Sequence, residues 1–183
     1  MNLQTIPSTE QKIPELISEL GDHDFLKRQH ARLLLVHREP ESIPSLLGAL
    51  ESPKIQIRQE AVNALGDIRD PETAPALTDM LMDEETSVRW AAMESLIHMG
   101  RDSLRPILEK FIKNFDSLWL REGVHHILHV LKDRHELNEK EITLFKKLDE
   151  QCIPGFEPSW NGQEAWAAEK ALEALDKEII LSR

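Results

Sequence analysis

Four prolines stand at nearly even intervals along this chain. They are Pro14, Pro44, Pro75 and Pro106, separated by 30, 31 and 31 residues. Taking each as offset zero brings further columns into register. Offset 2 is always leucine (Leu16, Leu46, Leu77, Leu108), and offset 6 is aliphatic (Leu20, Leu50, Leu81, Ile112). Offset 17 is small (Ala31, Ala61, Ala92, Gly123), and offset 21 is aliphatic again (Leu35, Leu65, Leu96, Ile127). A period of this length constrains the fold strongly, because each copy must be one supersecondary unit repeated along the chain.

Each column has a physical reading. A proline in the first turn of a helix loses nothing by lacking its N–H. Offsets 2 and 6 are four residues apart and share one helical face. Offsets 17, 21 and 24 form a second apolar stripe, such as Ala61, Leu65 and Ile68. Short polar stretches such as Glu51-Ser52-Pro53 and Asp83-Glu84-Glu85 part the two stripes. Each unit is therefore helix A, turn, helix B. The small residue at offset 17 predicts a close helix–helix approach. One hairpin cannot bury its own apolar face, so neighbours must stack into a continuous core. Seven glycines and no tyrosine argue against an all-β alternative. The fold class is all-α, a solenoid of four helix-pair repeats.

The stretch from Ile57 to Leu77, IRQEAVNALGDIRDPETAPAL, resembles the short HEAT-like repeat of phycobilisome lyase subunits, and Val88 to Leu96, VRWAAMESL, repeats it. The resemblance runs from about Ile13 to Leu131. It implies a right-handed superhelix with B helices lining a concave side. It also implies a protein partner, and with it a tetrapyrrole (bilin), since such subunits act on a phycobiliprotein. The repeats span about 9–38, 41–69, 71–100 and 102–132, giving a solenoid over 1–132. Residues 133–183 form a C-terminal helical cap. Asn138 with Glu141 reads as a capping box opening a helix to about Glu150. A loop holding Cys152, Pro154, Gly155, Pro158 and Trp160 follows, then a helix over 163–179. This pair is expected to close the open end of the stack; the alternative is an arm that docks on a partner.

Charge excludes one class of partner. The chain carries a net charge of −11, and Glu60 to Glu94 holds nine carboxylates against two cations. Nucleic-acid binding needs a basic footprint that releases counterions, and the centre of this chain is the opposite. A protein partner with a basic surface fits better. No apolar run approaches the length of a membrane span. A lone cysteine and no signal-like N-terminus point to the cytoplasm. Cys152 has no basic neighbour in sequence and reads as an inert thiol.

The informative polar feature is a flank of helix B. Offset 23 gives His37, Asp67, His98 and His129, and offset 19 gives Leu33, Asn63, Glu94 and His125. Trp90, at offset 15, points away from the core and offers an exposed contact. Trp119, at offset 13, shares a column with Ile57 and Val88 and is expected in the core. The partner-binding candidates are Asn63, Asp67, Trp90, Glu94, His98, His125 and His129. The alternative is a divalent-metal site at Glu122, His126 and His129, whose i, i+3 and i, i+4 spacing can bring imidazole and carboxylate together. No cofactor is expected otherwise; a bilin or a divalent metal belongs to the alternative. Deoxyhypusine hydroxylase resembles this repeat but holds iron with His-Glu pairs just before the small residue. Here those positions read Gln29-His30, Gln59-Glu60, Trp90-Ala91 and Arg121-Glu122, so that activity is not expected. Arg28, Arg58 and Arg89, at offset 14, are expected to form a ladder between repeats with carboxylates such as Glu60 and Asp83; repeat four has Leu120 there.

Overall fold

The computed structural model describes residues 11–151 and 163–181. Cys152 and the loop residues Pro154, Gly155, Pro158 and Trp160 lie outside the described residues. Among the described residues ten α-helices follow one another: α1 (Ile13–Glu19), α2 (Phe25–Val36), α3 (Ile43–Ala49), α4 (Ile55–Ile68), α5 (Ala74–Asp79), α6 (Thr86–Met99), α7 (Leu104–Lys113), α8 (Leu118–Asp133), α9 (Glu139–Gln151) and α10 (Gln163–Leu181). No strand occurs among the described residues. No helix there is long and apolar enough to cross a membrane.

The proline columns mark the starts of the A helices. Pro14, Pro44 and Pro75 occupy the first two positions of α1, α3 and α5, and Pro106 falls in the first turn of α7. The B helices α2, α4, α6 and α8 pack one on the next in a single layer. Within the other layer α1 meets α3, and α5 meets α7. Between the layers lie the repeated leucines, including Leu16, Leu46, Leu77 and Leu108, all fully buried. Ala31, Ala61 and Ala92 are fully buried too, as close helix packing requires.

The closest approach is between α4 and α6. A Cβ added at Gly66 would lie 2.3 Å from the Ser95 hydroxyl oxygen, so only glycine fits. Ser95 Oγ donates across the gap to the Val62 carbonyl at 3.2 Å. That bond satisfies a hydroxyl that burial would otherwise leave costly.

The last helix pair enters the stack in reverse. Its first helix, α9, packs on the B helix α8, and its second, α10, packs on the A helix α7. The hairpin therefore runs B-side to A-side, opposite to the four before it. Asn138 and Glu141 form the capping box of α9: the Glu141 N–H donates to Asn138 Oδ1 at 3.0 Å, and Asn138 N–H to Glu141 Oε2 at 2.7 Å. Glu141 is fully buried and accepts from Arg101 at 3.1 Å. Arg101 also bonds Glu178 of α10 at 2.6 Å. One arginine thus ties the turn before α7 to both helices of the final pair.

An arginine ladder runs along the starts of the B helices. Arg28 donates to the carbonyl of Asp22 at 2.9 Å, Arg58 to Ser52 at 2.9 Å, Arg89 to Asp83 at 2.7 Å and Arg121 to Phe115 at 3.0 Å. Each reaches the carbonyl six residues back and pins the A–B turn. Two rungs add carboxylates of the next repeat: Arg28 meets Glu60 at 3.4 Å, and Arg58 grips Asp83 with two bonds of 2.8 and 2.9 Å. The fourth rung corrects the sequence reading. Repeat four does not lack the arginine; Arg121 supplies it, fifteen residues after Pro106 instead of fourteen. One extra residue in the turn between α7 and α8 moves the start of α8 on by one position.

Candidate binding face

The shift in α8 decides which side chains face outward. Counted from the arginines, Trp119 falls in line with Leu26 and Ser87, not with Ile57 and Val88. Leu26 and Ser87 are both exposed. Trp119 is accordingly 44% exposed, and the expectation that it joins the core is overturned. Leu120 takes the buried place instead. Trp90 lies on the surface as its offset predicts, 53% exposed.

The remaining candidates divide into two groups. On α4, Asn63 is half-buried, and exposed Asp67 lies 3.6 Å from the Arg32 guanidinium of α2. On α6, His98 is exposed, and the Glu94 carboxylate lies 3.7 Å from His126 Nε2 of α8. The His126 ring also rests against Trp90, with centroids 5.1 Å apart. Glu94, His126 and Trp90 thus join α6 to α8 at the surface.

His125 and His129 belong elsewhere. They turn toward α9, where the Phe145 ring is stacked on His125 at 5.3 Å and meets His129 edge-on at 5.8 Å. His125 also pairs with Asp149 at 3.2 Å, and His129 lies 3.5 Å from Asp133. Lys132 covers the Phe145 ring at 4.8 Å. The docked final hairpin therefore takes His125, half-buried, out of an open surface.

This division also separates the alternative metal ligands. Glu122, His126 and His129 do not converge. Among the described residues no three His, Cys, Asp or Glu side chains are grouped to hold a metal ion. Sequence spacing places His126 and His129 one turn apart, but Glu94 and Trp90 engage one ring and Asp133 and Phe145 the other.

Between the first halves of α6 and α8 the helices part around a cleft of about 230 Å³. Trp90 and Trp119 line it from opposite helices, with Leu81, Met93 and Gly123 as its apolar residues. A Cβ at Gly123 would come 3.3 Å from Leu81, so the missing side chain keeps this space open. Thr86, Arg89, Glu122 and His126 supply the polar part of the lining. The Arg89 guanidinium lies over the Trp119 ring at 4.4 Å, a favourable cation–π contact. Three of its five N–H donors go to the carbonyls of Asp83 (2.7 Å) and Glu84 (3.0 Å) and to the Thr86 hydroxyl (2.9 Å). These bonds hold the Arg89 guanidinium in the wall of the cleft.

Sequence reasoning singled out Trp90 but missed Trp119, Arg89 and Gly123 as residues of one feature. The signal was present. Counting from Arg121 instead of Pro106 puts Trp119 outside and sets Gly123 in line with Ala91 and Glu60.

The stacked helix pairs and the arginine ladder define an α-solenoid. Residues 13–97 match the family of HEAT repeats. The fold of this chain is also shared with a chain in the complex of CpcE and CpcF of phycocyanin lyase from Nostoc sp. PCC7120, with a TM-score of 0.57 and 22% sequence identity. That superposition covers 86% of this chain and 97% of the other. At this identity the likeness is one of fold. No curated protein matches the sequence.

Proposed function

We propose that this chain is a cytoplasmic scaffold or adaptor that binds a protein partner through the surface of α4, α6 and α8. The observation that carries the reading is the pair of exposed tryptophans, Trp90 and Trp119, at one cleft on an acidic surface. Tryptophan is among the residues enriched in interface hot spots. Asp67, Glu94 and Glu122 surround this region, and the net charge of −11 favours encounter with a basic surface. The neighbour of the same fold was solved in a complex of two different proteins, which supports a protein partner.

The test is a comparison of captured proteins. The tagged chain, its Trp90→Ala/Glu94→Ala form and a control altered at Glu109 in α7 are each used to capture partners from the source cell. A stoichiometric protein held by the first and third and lost by the second is expected. An unchanged set across all three rejects this surface.

A second reading, an accessory subunit or lyase-like protein handling a bilin, is favoured by the fold shared with phycocyanin lyase chains. The cleft lends it less. Its 230 Å³ falls below the roughly 300–1,000 Å³ of small-molecule sites, and Glu122 in its lining opposes a ligand carboxylate. An absorbance scan after mixing with a free bilin checks it: a shifted spectrum in the wild type supports the reading, and an unchanged spectrum removes it.

A further inference from the structure

We infer that the cleft between α6 and α8 receives one apolar side chain, leucine-sized or aromatic, from a partner segment whose flanking residues are lysine or arginine. The inference rests on the protein-binding reading above and gives it a specific occupant.

Size, lining and charge point the same way. About 230 Å³ accommodates one large side chain and not a folded element. Leu81 and Met93 offer apolar contact, and the tryptophan rings offer flat faces on two helices. Glu122 lines the same space as Arg89, so the cleft holds no net positive charge to draw an anionic group. Around the cleft the carboxylates outnumber free cations. Glu94 stands beside His126, and Glu122 projects from α8. A segment that places an apolar anchor in the cleft sets its neighbours among these acids. Basic flanks complement them and supply the steering that apolar contact alone lacks.

The site is particular to this junction. At the preceding one, between α4 and α6, the places of Trp90, Trp119 and Gly123 are taken by Gln59, Ser87 and Ala91. No tryptophan walls exist there. The extra residue before α8 and three local substitutions create the cleft at one point of an otherwise regular stack.

Three synthetic peptides test the inference: acetyl-Lys-Arg-Ser-Leu-Ser-Lys-Arg-amide, the same peptide with alanine for leucine, and a version with glutamate and aspartate for the basic residues. Binding to the full chain is followed by NMR through the indole N–H signals of Trp90 and Trp119. The leucine peptide is expected to shift both signals, to bind at least about tenfold more tightly than the alanine peptide, and to outbind the acidic peptide. Trp119→Ala, at an exposed position, should reduce the leucine peptide to the level of the alanine one. Thr86→Lys, at the exposed rim, should weaken both basic peptides. Equal affinity for leucine and alanine peptides, still lost on Glu94→Lys, overturns the cleft and leaves the acidic surface standing. Indole signals that stay fixed at millimolar peptide overturn the cleft outright, and the capture experiment above then judges the broader reading alone.

Discussion

The junction between α4 and α6 and the junction between α6 and α8 are built from the same repeat and behave differently. At the first, Gly66 and Ser95 let the helices meet at backbone distance, and Ser95 bonds across the gap. Counted from the ladder arginines, the matching places at the second junction are Ile97 and Ile127, both buried. Two β-branched side chains need room where glycine and serine need little. The α4–α6 contact is accordingly the more extensive of the two. The first junction is sealed; the second leaves a cleft. A solenoid can thus keep one core and open a single site by relaxing one contact in its stack.

The comparison can be broken by substitution, beginning with the ladder. Arg58 and its partner Asp83 are buried and doubly bonded. Removing one partner of such a pair costs about 3–5 kcal/mol. Arg58→Ala should lower the stability by about that amount in a urea titration. Arg89→Ala, at the open junction, should cost about 1 kcal/mol, since its bonds are to turn carbonyls and a hydroxyl at the surface. Equal losses would deny that the two junctions differ.

The glycines give the next effect. Gly66→Ala forces a Cβ into Ser95 and should destabilise by about 1–3 kcal/mol, the usual cost of overpacking. Gly123→Ala meets the flexible end of Leu81 at 3.3 Å and the Met93 side chain at an ordinary 3.7 Å. The gain of about 1 kcal/mol in helix propensity should offset that contact. Thermal melts of the two variants, read by circular dichroism, should therefore move apart, with Gly123→Ala near the wild type. If both fall together, the second junction is as tight as the first.

The smallest change in stability is expected at the cleft wall. Trp119→Ala removes a partly exposed ring and its contact with Arg89. That contact is worth about 0.5–1 kcal/mol at an exposed site, so the melting temperature should barely move. A large loss would mean that Trp119 supports the stack and does not serve a surface.

The face was partly legible in advance. Trp90 could be placed outside from its offset alone, since one helical wheel fixes it against its own stripe. Trp119 could not, because its wheel was set from Pro106, across a turn that holds one residue more than the others. A proline column cannot register an insertion that falls after it. The partners of the histidine flank were not legible for another reason. His125 and His129 take their partners from Phe145 and Asp149, on a helix beyond the last repeat. Nothing in the spacing of α8 specifies what docks on it.

By itself the sequence determined the repeat, the fold class, the helix starts at the prolines, the buried small residues and the capping box of Asn138 and Glu141. Those are consequences of local geometry: the helical period, the missing proline N–H and the reach of a side chain over one turn. Only the tertiary structure decided that the final hairpin enters in reverse, that Arg121 completes the ladder, and that Trp90 and Trp119 share a cleft. Each depends on how separate helices meet, and packing volume, not spacing along the chain, sets that.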